Sequence, residues 1–205
     1  MELVALNAAV TWIAVIANLI LTFAVVRRVI ANRHRAPREE GEQLGLPKGV
    51  TAPAFEGVMV DGTQVSNADY HGRQLALLFI SPNCEPCRRD LPRYQRLGTP
   101  AKVAGTELVL VSTGETEATR ALLLDLNVTL PVILTPPGDN SFAANYKIPG
   151  TPAYCLIGPT GVVESAGLPA FDWGEWAELV RSWESGERFT QPASEPPVLE
   201  VMHTG

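Results

Sequence analysis

The chain has 205 residues, which is enough for one domain of ordinary size with additional segments and too few for two full domains. Charged residues make up 19% of the chain and hydrophobic residues 46%, so the composition excludes a largely disordered protein. The net charge of −6 disfavours a nucleic-acid-binding domain, and three cysteines are too few for a fold stapled by many disulfides.

The first predicted element is a membrane anchor. Residues 3–26 form a run of 24 residues without a charged side chain. A bilayer core of about 30 Å is crossed by about 20 apolar residues in a helix, because a helix satisfies its own backbone there. Glu2 precedes the run and arginines follow it, which is the reverse of the charge order in a cleavable signal peptide. We therefore predict an uncleaved, single-pass transmembrane helix.

A change of charge separates the next two segments. Residues 27–50 begin with five arginines, continue with glycine and proline, and are predicted to be a linker. From Thr51 onward the chain has 10 Lys and Arg against 18 Asp and Glu, a balance of −8. We predict one soluble domain over residues 51–185 and a flexible tail over the proline-containing residues 186–205.

Within the soluble domain, strands and helices alternate and a hairpin comes near the end. The predicted elements are a hairpin over 55–66 that turns at Asp61-Gly62, strands over 75–80, 107–112 and 132–134, helices over 86–97, 116–126 and 141–146, a hairpin of strands 153–157 and 162–167, and a helix over 172–185. The run LALLFI at 75–80 is typical of a strand buried on both faces. In the last helix, Trp176, Leu179, Val180 and Trp183 recur at helical spacing and predict its buried side. This order predicts an α/β fold with parallel strands joined by crossover helices and an antiparallel pair at one edge.

The motif Cys84-Glu85-Pro86-Cys87 directly follows the buried strand and opens a helix. Unpaired N–H groups at a helix N-terminus stabilise a thiolate, and such positions lower a cysteine pKa from about 8.5 to roughly 3.5–7.5. Cys84 is the outermost sulfur and is predicted to attack a disulfide, while Cys87, one turn further in, resolves the mixed disulfide. Four arginines follow in the same helix, and those nearest the cysteines are expected to add to this stabilisation.

Other roles for the cysteines and histidines are weaker. A zinc site needs two more ligands at suitable spacing, whereas Cys155, His34, His71 and His203 are scattered along the chain. Cys155 lies within a predicted strand and is interpreted as a small core side chain. We therefore predict no metal and no cofactor other than the redox-active Cys84–Cys87 disulfide.

A second motif, Gly150-Thr151-Pro152, stands immediately before the strand AYCLI. A proline at the start of a strand loses no ladder hydrogen bond, and X-Pro bonds adopt cis where the surroundings select it. Together with the Cys-x-x-Cys motif, this pattern resembles the thioredoxin fold. More narrowly, the strings APAFEGVMVDGTQV, LALLFISPNCEPCRRDLP and IPGTPAYCLIGPTGVV resemble TlpA/ResA-type thioredoxin-like proteins, which are related to the AhpC/TSA group. With the anchor and the arginine-rich linker, the chain is most similar to the MauD type, the anchored thioredoxin-like proteins of methylamine utilisation.

The resemblance implies a thioredoxin-like fold, a central mixed sheet flanked by helices, preceded here by one N-terminal transmembrane helix. It implies that Cys84 is the nucleophile, that Cys87 is the resolving thiol, and that Pro152 is a cis-proline whose neighbour Thr151 helps to receive substrate backbone. Glu85 and Pro86 lie between the cysteines, and Pro86 stiffens the ring. Asp90 matches an acid that modulates the cysteines; the alternative is an ordinary acid on the helix surface.

The chain also departs from the family pattern. Leu78 stands where thioredoxins carry a buried acid, and Asn83 replaces the tryptophan that precedes the first cysteine. The peroxiredoxin pattern Pro-x-x-x-Thr-x-x-Cys is not matched, because Leu77 and Ser81 occupy its first and fifth positions. A peroxidase is therefore disfavoured.

These observations predict a membrane-anchored thiol–disulfide oxidoreductase, of the disulfide reductase or isomerase type, that acts on protein cysteines and takes part in maturation of a partner enzyme. An oxidised Cys84–Cys87 pair would instead donate its disulfide, and the sequence does not fix the direction. Its expected partners are protein thiols and disulfides, a redox protein that donates or accepts electrons, and the membrane, but not nucleic acid. The alternative is a non-catalytic thioredoxin-like assembly factor or metal carrier. The resemblance favours an extracytoplasmic soluble domain, whereas the arginines after the helix favour a cytoplasmic one.

Overall fold

The structure, a computed structural model, describes residues 44–138 and 141–189 together with four residues of the predicted anchor, which are Trp12, Val15, Asn18 and Leu19. These four residues are helical and exposed. Within the part of the chain that the structure describes, no helix has the length and apolar character needed to cross a bilayer. The rest of the predicted transmembrane helix over 3–26 lies outside the described residues.

The chain divides into two units, Met1–Glu42 and Gln43–Gly205. The second unit contains a seven-stranded sheet in the order β2-β1-β5-β4-β3-β6-β7. The strands are β1 (Glu56–Met59), β2 (Gln64–Ser66), β3 (Gln74–Ile80), β4 (Thr106–Ser112), β5 (Val132–Leu134), β6 (Ala153–Ile157) and β7 (Val163–Gly167). Strands β3, β4 and β5 are parallel, and β6 and β7 form the predicted antiparallel pair at one edge. The β1–β2 hairpin forms a second antiparallel pair at the opposite edge, which the sequence did not place.

Among the described residues of the second unit, four α-helices accompany the sheet: α1 (Glu85–Val103), α2 (Thr116–Asp125), α3 (Phe142–Asn145) and α4 (Gly174–Glu184), together with a short 3-10 helix over Asn67–Tyr70. Helix α1 continues six residues beyond the predicted end at Leu97. Gly98 and Pro100 are residues that usually end a helix, but here the helix continues and Ala101 extends its buried side. Gly98 also permits a close approach, since a Cβ on it would lie 2.6 Å from Leu130 Cδ2. Packing against the rest of the fold therefore overrides the local breakers.

Each face of the sheet has its own core. The face covered by α1, α2 and α4, called the α1 face below, buries Leu78, Cys87 and Tyr154 together with the predicted side of α4, namely Trp176, Leu179, Val180 and Trp183. The opposite face, called the α3 face, buries Phe79 and Cys155 beneath the aromatic side chains Phe55, Phe142 and Tyr146. The alternation along β3 sends its side chains to both cores, as expected for a strand buried on both sides.

Two residues outside 51–185 belong to these cores. Leu46, in the predicted linker, is 9% exposed and packs on the α3 face. Phe189, in the predicted tail, is 7% exposed, and its carbonyl oxygen accepts a hydrogen bond from Gln74 Nε2 at 3.2 Å. The described parts of the linker and tail thus contribute to the packed domain, and residues 27–43 and 190–205 lie outside the described residues.

Candidate active site

The Cys-x-x-Cys motif lies where β3 ends and α1 begins. Cys84 is the N-cap of α1, and its Sγ accepts a hydrogen bond from the backbone N–H of Cys87 at 3.2 Å. The two sulfurs form a disulfide, with the Cα atoms 5.2 Å apart. Cys84 is half-buried, whereas Cys87 is completely buried. An incoming sulfur therefore reaches Cys84 first, as the sequence predicts.

A backbone donor, rather than an arginine, is the positive group aimed at Cys84. Arg88 pairs with Asp125 at 3.7 Å, and Arg89 pairs with Asp90 at 2.9 Å. The guanidinium of Arg93 lies 3.7 Å above the ring of Phe171. These arginines are exposed and engaged with other groups, so the stabilisation of a Cys84 thiolate rests mainly on the N-terminus of α1.

The loop before β6 meets the disulfide. The Thr151–Pro152 peptide bond is cis, as the resemblance implies. The carbonyl oxygen of Thr151 lies 3.3 Å from Cys84 Sγ. The two motifs meet because β6 pairs with β3, with Ala153 opposite Phe79 at the end of the strand that delivers Cys84. The substrate-binding roles of Thr151 and Pro152 stay predictions.

Asp90 is held as a carboxylate. Arg89 donates to both of its oxygens, from Nε at 3.1 Å and from Nη2 at 2.9 Å. These hydrogen bonds lower the pKa of Asp90, with a further contribution from the charges of Arg89 and Arg93. Because its pKa is lowered, Asp90 is a poor proton acceptor for a neighbouring thiol. Glu85 and Pro86 are exposed on the first turn of α1, and their modulating role is untested, as is that of Asp90.

Leu78 is fully buried on the α1 face and lies directly opposite Tyr154 in the β3–β6 register. At this point of the α1 face, the apolar side chain of Leu78 on β3 therefore lies next to the hydroxyl-bearing side chain of Tyr154 on β6. Tyr94, one of the buried side chains of α1, belongs to the same cluster, and burial raises the pKa of its hydroxyl, which stays protonated. Sequence reasoning did not single out either tyrosine.

Gly114 is a further site residue that the sequence motifs did not reveal. It follows β4 and is buried against Pro82, two residues before Cys84. A Cβ at Gly114 would lie 2.3 Å from Pro82 Cδ, so no larger residue fits without moving the loop. The position of the loop that carries Cys84 therefore depends on a glycine about 30 residues downstream in sequence.

The remaining cysteine is remote from this chemistry. Cys155 is a free thiol, fully buried on the α3 face, and burial raises its pKa to about 12. It therefore packs as the small core side chain predicted from the sequence. Among the described residues no group of three or more His, Cys, Asp and Glu side chains is arranged to hold a metal ion, and His71 is exposed.

A half-buried cysteine at a helix N-terminus, a buried partner one turn later and a cis-proline loop in contact with the first sulfur define a class of protein. They are the site of a thiol–disulfide oxidoreductase built on a thioredoxin-like fold. Comparison with known proteins agrees with this assignment and names the family.

Residues 49–166 match the AhpC/TSA family, and the chain belongs to it, among the ResA-type thioredoxin-like proteins. It is 30% identical to the thiol-disulfide oxidoreductase ResA of Oceanobacillus iheyensis over 153 residues, which cover 71% of this chain and 74% of that protein. It is 26% identical to the thioredoxin-like protein YneN of Bacillus subtilis over 129 residues, 60% of this chain and 72% of YneN.

A solved structure confirms the fold. The thioredoxin domain of a thiol-disulfide oxidoreductase from Bacteroides vulgatus superimposes with a TM-score of 0.59 at 24% identity. The superposition covers 66% of this chain and 97% of that domain. The thioredoxin-like α/β fold and the oxidoreductase class predicted from the sequence are therefore confirmed.

Proposed function

We propose that the protein is a membrane-tethered enzyme in which Cys84 attacks disulfides of protein substrates and Cys87 resolves the intermediate. The Cys84 thiolate bonds to one substrate sulfur, and the other substrate sulfur leaves as a thiolate. Cys87 then loses its proton and attacks Cys84, so that the Cys84–Cys87 disulfide forms and the second substrate thiol is released. Two electrons pass to the substrate, and a redox partner protein restores the dithiol.

The contacts of Cys84 carry this proposal. Its sulfur accepts an amide N–H at 3.2 Å and touches the Thr151 carbonyl at 3.3 Å, while Cys87 is fully buried beside it. A substrate sulfur bonded to Cys84 therefore lies beside the cis-proline loop. The burial of Cys87 keeps it from external disulfides and leaves Cys84 as its nearest target.

Paired serine variants test the assignment. Cys84→Ser is expected to abolish reduction of insulin disulfides, because the attacking sulfur is lost. Cys87→Ser is expected to accumulate mixed disulfides with substrate, visible on non-reducing gels and reversed by dithiothreitol. Cys155→Ala is the matched control and retains activity. Full insulin reduction by Cys84→Ser would show that the nucleophile has been misassigned.

We further propose that residues 3–26 anchor the chain and that the soluble domain is extracytoplasmic, where it acts on cysteines of a partner enzyme during maturation, as in the MauD type. The uncharged run of 24 residues supports the anchor, and the resemblance supports the side of the membrane. Proteolysis of intact and opened cells that carry a C-terminal tag tests the side. Protection of the tag in intact spheroplasts would contradict an extracytoplasmic domain, and release of the chain from membranes by carbonate would contradict the anchor.

A further inference from the structure

The surface between α1 and α4 has a cationic groove, although the domain as a whole is acidic. From Thr51 onward the chain has 18 acids and 10 bases, and three of these bases line the groove. The groove has a volume of about 420 Å³, and its lining includes the buried side chains of Leu97 and Ala177. The exposed charged side chains of the lining are Arg93, Arg96, Arg181 and Glu184. Positive charge is therefore concentrated at this place on an acidic surface.

Arg93 is held in this groove by an aromatic stack. Its guanidinium carbon lies 3.7 Å from the ring centroid of Phe171, and Phe171 in turn stacks on Tyr94 with the ring centroids 5.3 Å apart. At this distance the guanidinium presents its face to the ring, and its N–H donors point outward in the plane of the group. Donors fixed in this way bind a carboxylate through two parallel hydrogen bonds. Arg93 is therefore positioned for an acidic ligand before that ligand arrives.

The arginines of the groove lack an acceptor within the domain. Three arginines elsewhere pair with carboxylates at 2.7 to 3.7 Å. Among the described residues, no such carboxylate and no other hydrogen-bond acceptor lies against the guanidinium groups of Arg93, Arg96 and Arg181. The charge of Arg93 contributes to the lowered pKa of Asp90, but the hydrogen bonds to Asp90 come from Arg89. Three guanidinium groups therefore keep their donors for a ligand from outside.

The groove is continuous with the surface around the disulfide. Gly167, the last residue of β7, pairs with Tyr154, which is two residues after Pro152. The chain that follows Gly167 therefore leaves the sheet beside the cis-proline loop. Phe171 lies in this segment, and its ring carries Arg93 of the groove. A polypeptide bound at the cis-proline loop can thus follow this segment to the groove.

The distance from the reactive sulfur to the groove suits a short piece of extended chain. Arg93 and Arg96 are nine and twelve residues after Cys84, the N-cap of α1. At the rise of an α-helix this separation is about 13 to 18 Å along the axis. An extended polypeptide covers that distance with about four to six residues. One substrate chain can therefore occupy both places.

We propose that the groove lined by Arg93, Arg96 and Arg181 binds an acidic segment of the protein whose cysteines exchange with Cys84. This inference rests on the proposed function and names the chemical class of its partner. The arginines donate to carboxylates that stand about four to six residues from the reacting cysteine of the partner. Binding there raises the local concentration of the partner's disulfide at Cys84 and takes no part in the bond exchange. Anionic lipid also binds arginine, but the continuity of the groove with the active site favours a polypeptide.

Two synthetic peptide disulfides separate binding at the groove from chemistry at Cys84. In one peptide, glutamates stand about four to six residues on either side of the cysteine, and in the other glutamines replace them. The reduced, full-length protein in detergent reacts with each, and thiol release is measured by chromatography after acid quenching. Each rate is divided by the rate of the same peptide with dithiothreitol, which removes differences in intrinsic reactivity. We expect the glutamate peptide to react about tenfold faster, and this advantage to shrink with added salt.

Charge variants locate the source of this advantage. Arg96→Gln and Arg181→Gln are each expected to reduce it about threefold, and the further change Arg93→Gln removes it. Glu184→Gln should increase it, because a negative charge leaves the groove. Arg120→Gln is the matched control, since this exposed arginine lies on α2 outside the groove. All these variants should reduce bis(2-hydroxyethyl) disulfide, which is small and uncharged, at the wild-type rate.

Equal normalised rates with the two peptides would overturn the proposal, as would an advantage that survives in the triple arginine variant. An equal loss in Arg120→Gln would also overturn it, because the effect would then belong to the net charge. If the peptides react equally and the triple variant loses binding to phosphatidylglycerol micelles, the ligand of the groove is lipid. A wild-type protein that reduces neither the peptides nor bis(2-hydroxyethyl) disulfide would instead contradict the proposed function itself.

Discussion

The two faces of the central sheet each bury a cysteine, and only one of these faces is built for redox chemistry. Cys87 and Cys155 are both fully buried. Cys87 lies in the first turn of α1 in a disulfide with Cys84, whereas Cys155 lies within β6 and burial raises its pKa to about 12. Burial alone therefore does not decide whether a thiol reacts. The position relative to a helix N-terminus and to a second sulfur decides it.

The polar groups of the two faces differ in the same way. On the α3 face, Phe55 and Phe142 stack at 4.5 Å and Tyr146 gives its hydroxyl to a backbone carbonyl. On the α1 face, Tyr154 is linked through Ser165 to the surface. The α3 face is thus a closed aromatic core that supports the fold, while the α1 face carries hydrogen bonds from a buried hydroxyl to an exposed carboxylate.

The largest expected effects come from truncating one aromatic side chain on each face. Trp176→Ala and Phe142→Ala each remove a side chain that is at most 2% exposed and should lower the free energy of unfolding by about 3–5 kcal/mol, measured by denaturant titration. Only Trp176→Ala should also slow resolution by Cys87, because Trp176 and Cys87 belong to the same buried cluster on the α1 face. An equal loss of the resolving rate in Phe142→Ala would remove the functional distinction between the faces.

The loop that carries Cys84 gives the next largest effect. In Gly114→Ala the added Cβ must displace Pro82, so we expect a loss of about 1–3 kcal/mol from overpacking and up to a 100-fold loss of kcat/KM for disulfide reduction. Gly57→Ala is the control: its Cβ would meet Ile133 Cγ2 at 2.5 Å, but in β1 rather than beside the cysteines. It should cost stability and leave kcat/KM unchanged. If the two variants lose equal activity, the Gly114–Pro82 contact has no special role.

Local sequence signals were sufficient for much of the scaffold. Strands β3, β4, β5 and β6 lie within one residue of their predicted bounds. A strand that is buried on both faces consists of consecutive apolar residues, and such a run can be recognised in the sequence. The Cys84-to-Cys87 motif was also predictable from adjacent residues, whereas the cis bond at Pro152 was predicted only through the family resemblance.

Features that depend on distant residues were not predictable. Helix α1 continues past Gly98, at a point where Leu130, more than 30 positions away in the sequence, approaches the helix closely. The link from Tyr154 to Glu175 requires the register of β6 with β7 and the packing of α4, and no sequence motif records it. The two hydrogen bonds from Arg89 to Asp90 were likewise not predicted from the sequence, because adjacent residues of a helix are not expected to face each other.

Thiol labelling sharpens the contrast between the cysteine at the start of α1 and the cysteine within β6. After reduction, iodoacetamide should modify Cys84, while Cys155 stays unmodified in the native protein at neutral pH. Its raised pKa leaves little thiolate until the pH approaches about 12, and its burial blocks access. Intact mass measured before and after unfolding in denaturant checks this result. Native labelling of Cys155 at neutral pH would show that the α3 face is open.

The smallest effect is expected at Asp90, at the rim of the α1 face. The hydrogen bonds from Arg89 lower its pKa from the usual 3.8, so the carboxylate adds stability above that pH and the gain is lost as the pH falls through the folded-state pKa. Asp90→Asn should therefore be slightly less stable than wild type at neutral pH and equal to it in strong acid, by thermal unfolding at several pH values. The effect stays small because Arg89 is exposed and solvent screens the pair. Asp90→Asn should also leave the rate of resolution by Cys87 nearly unchanged, since the lowered pKa of Asp90 makes its carboxylate a weak base. A larger change in Asp90→Asn would instead make Asp90 the proton acceptor and restore the role that the family resemblance implies.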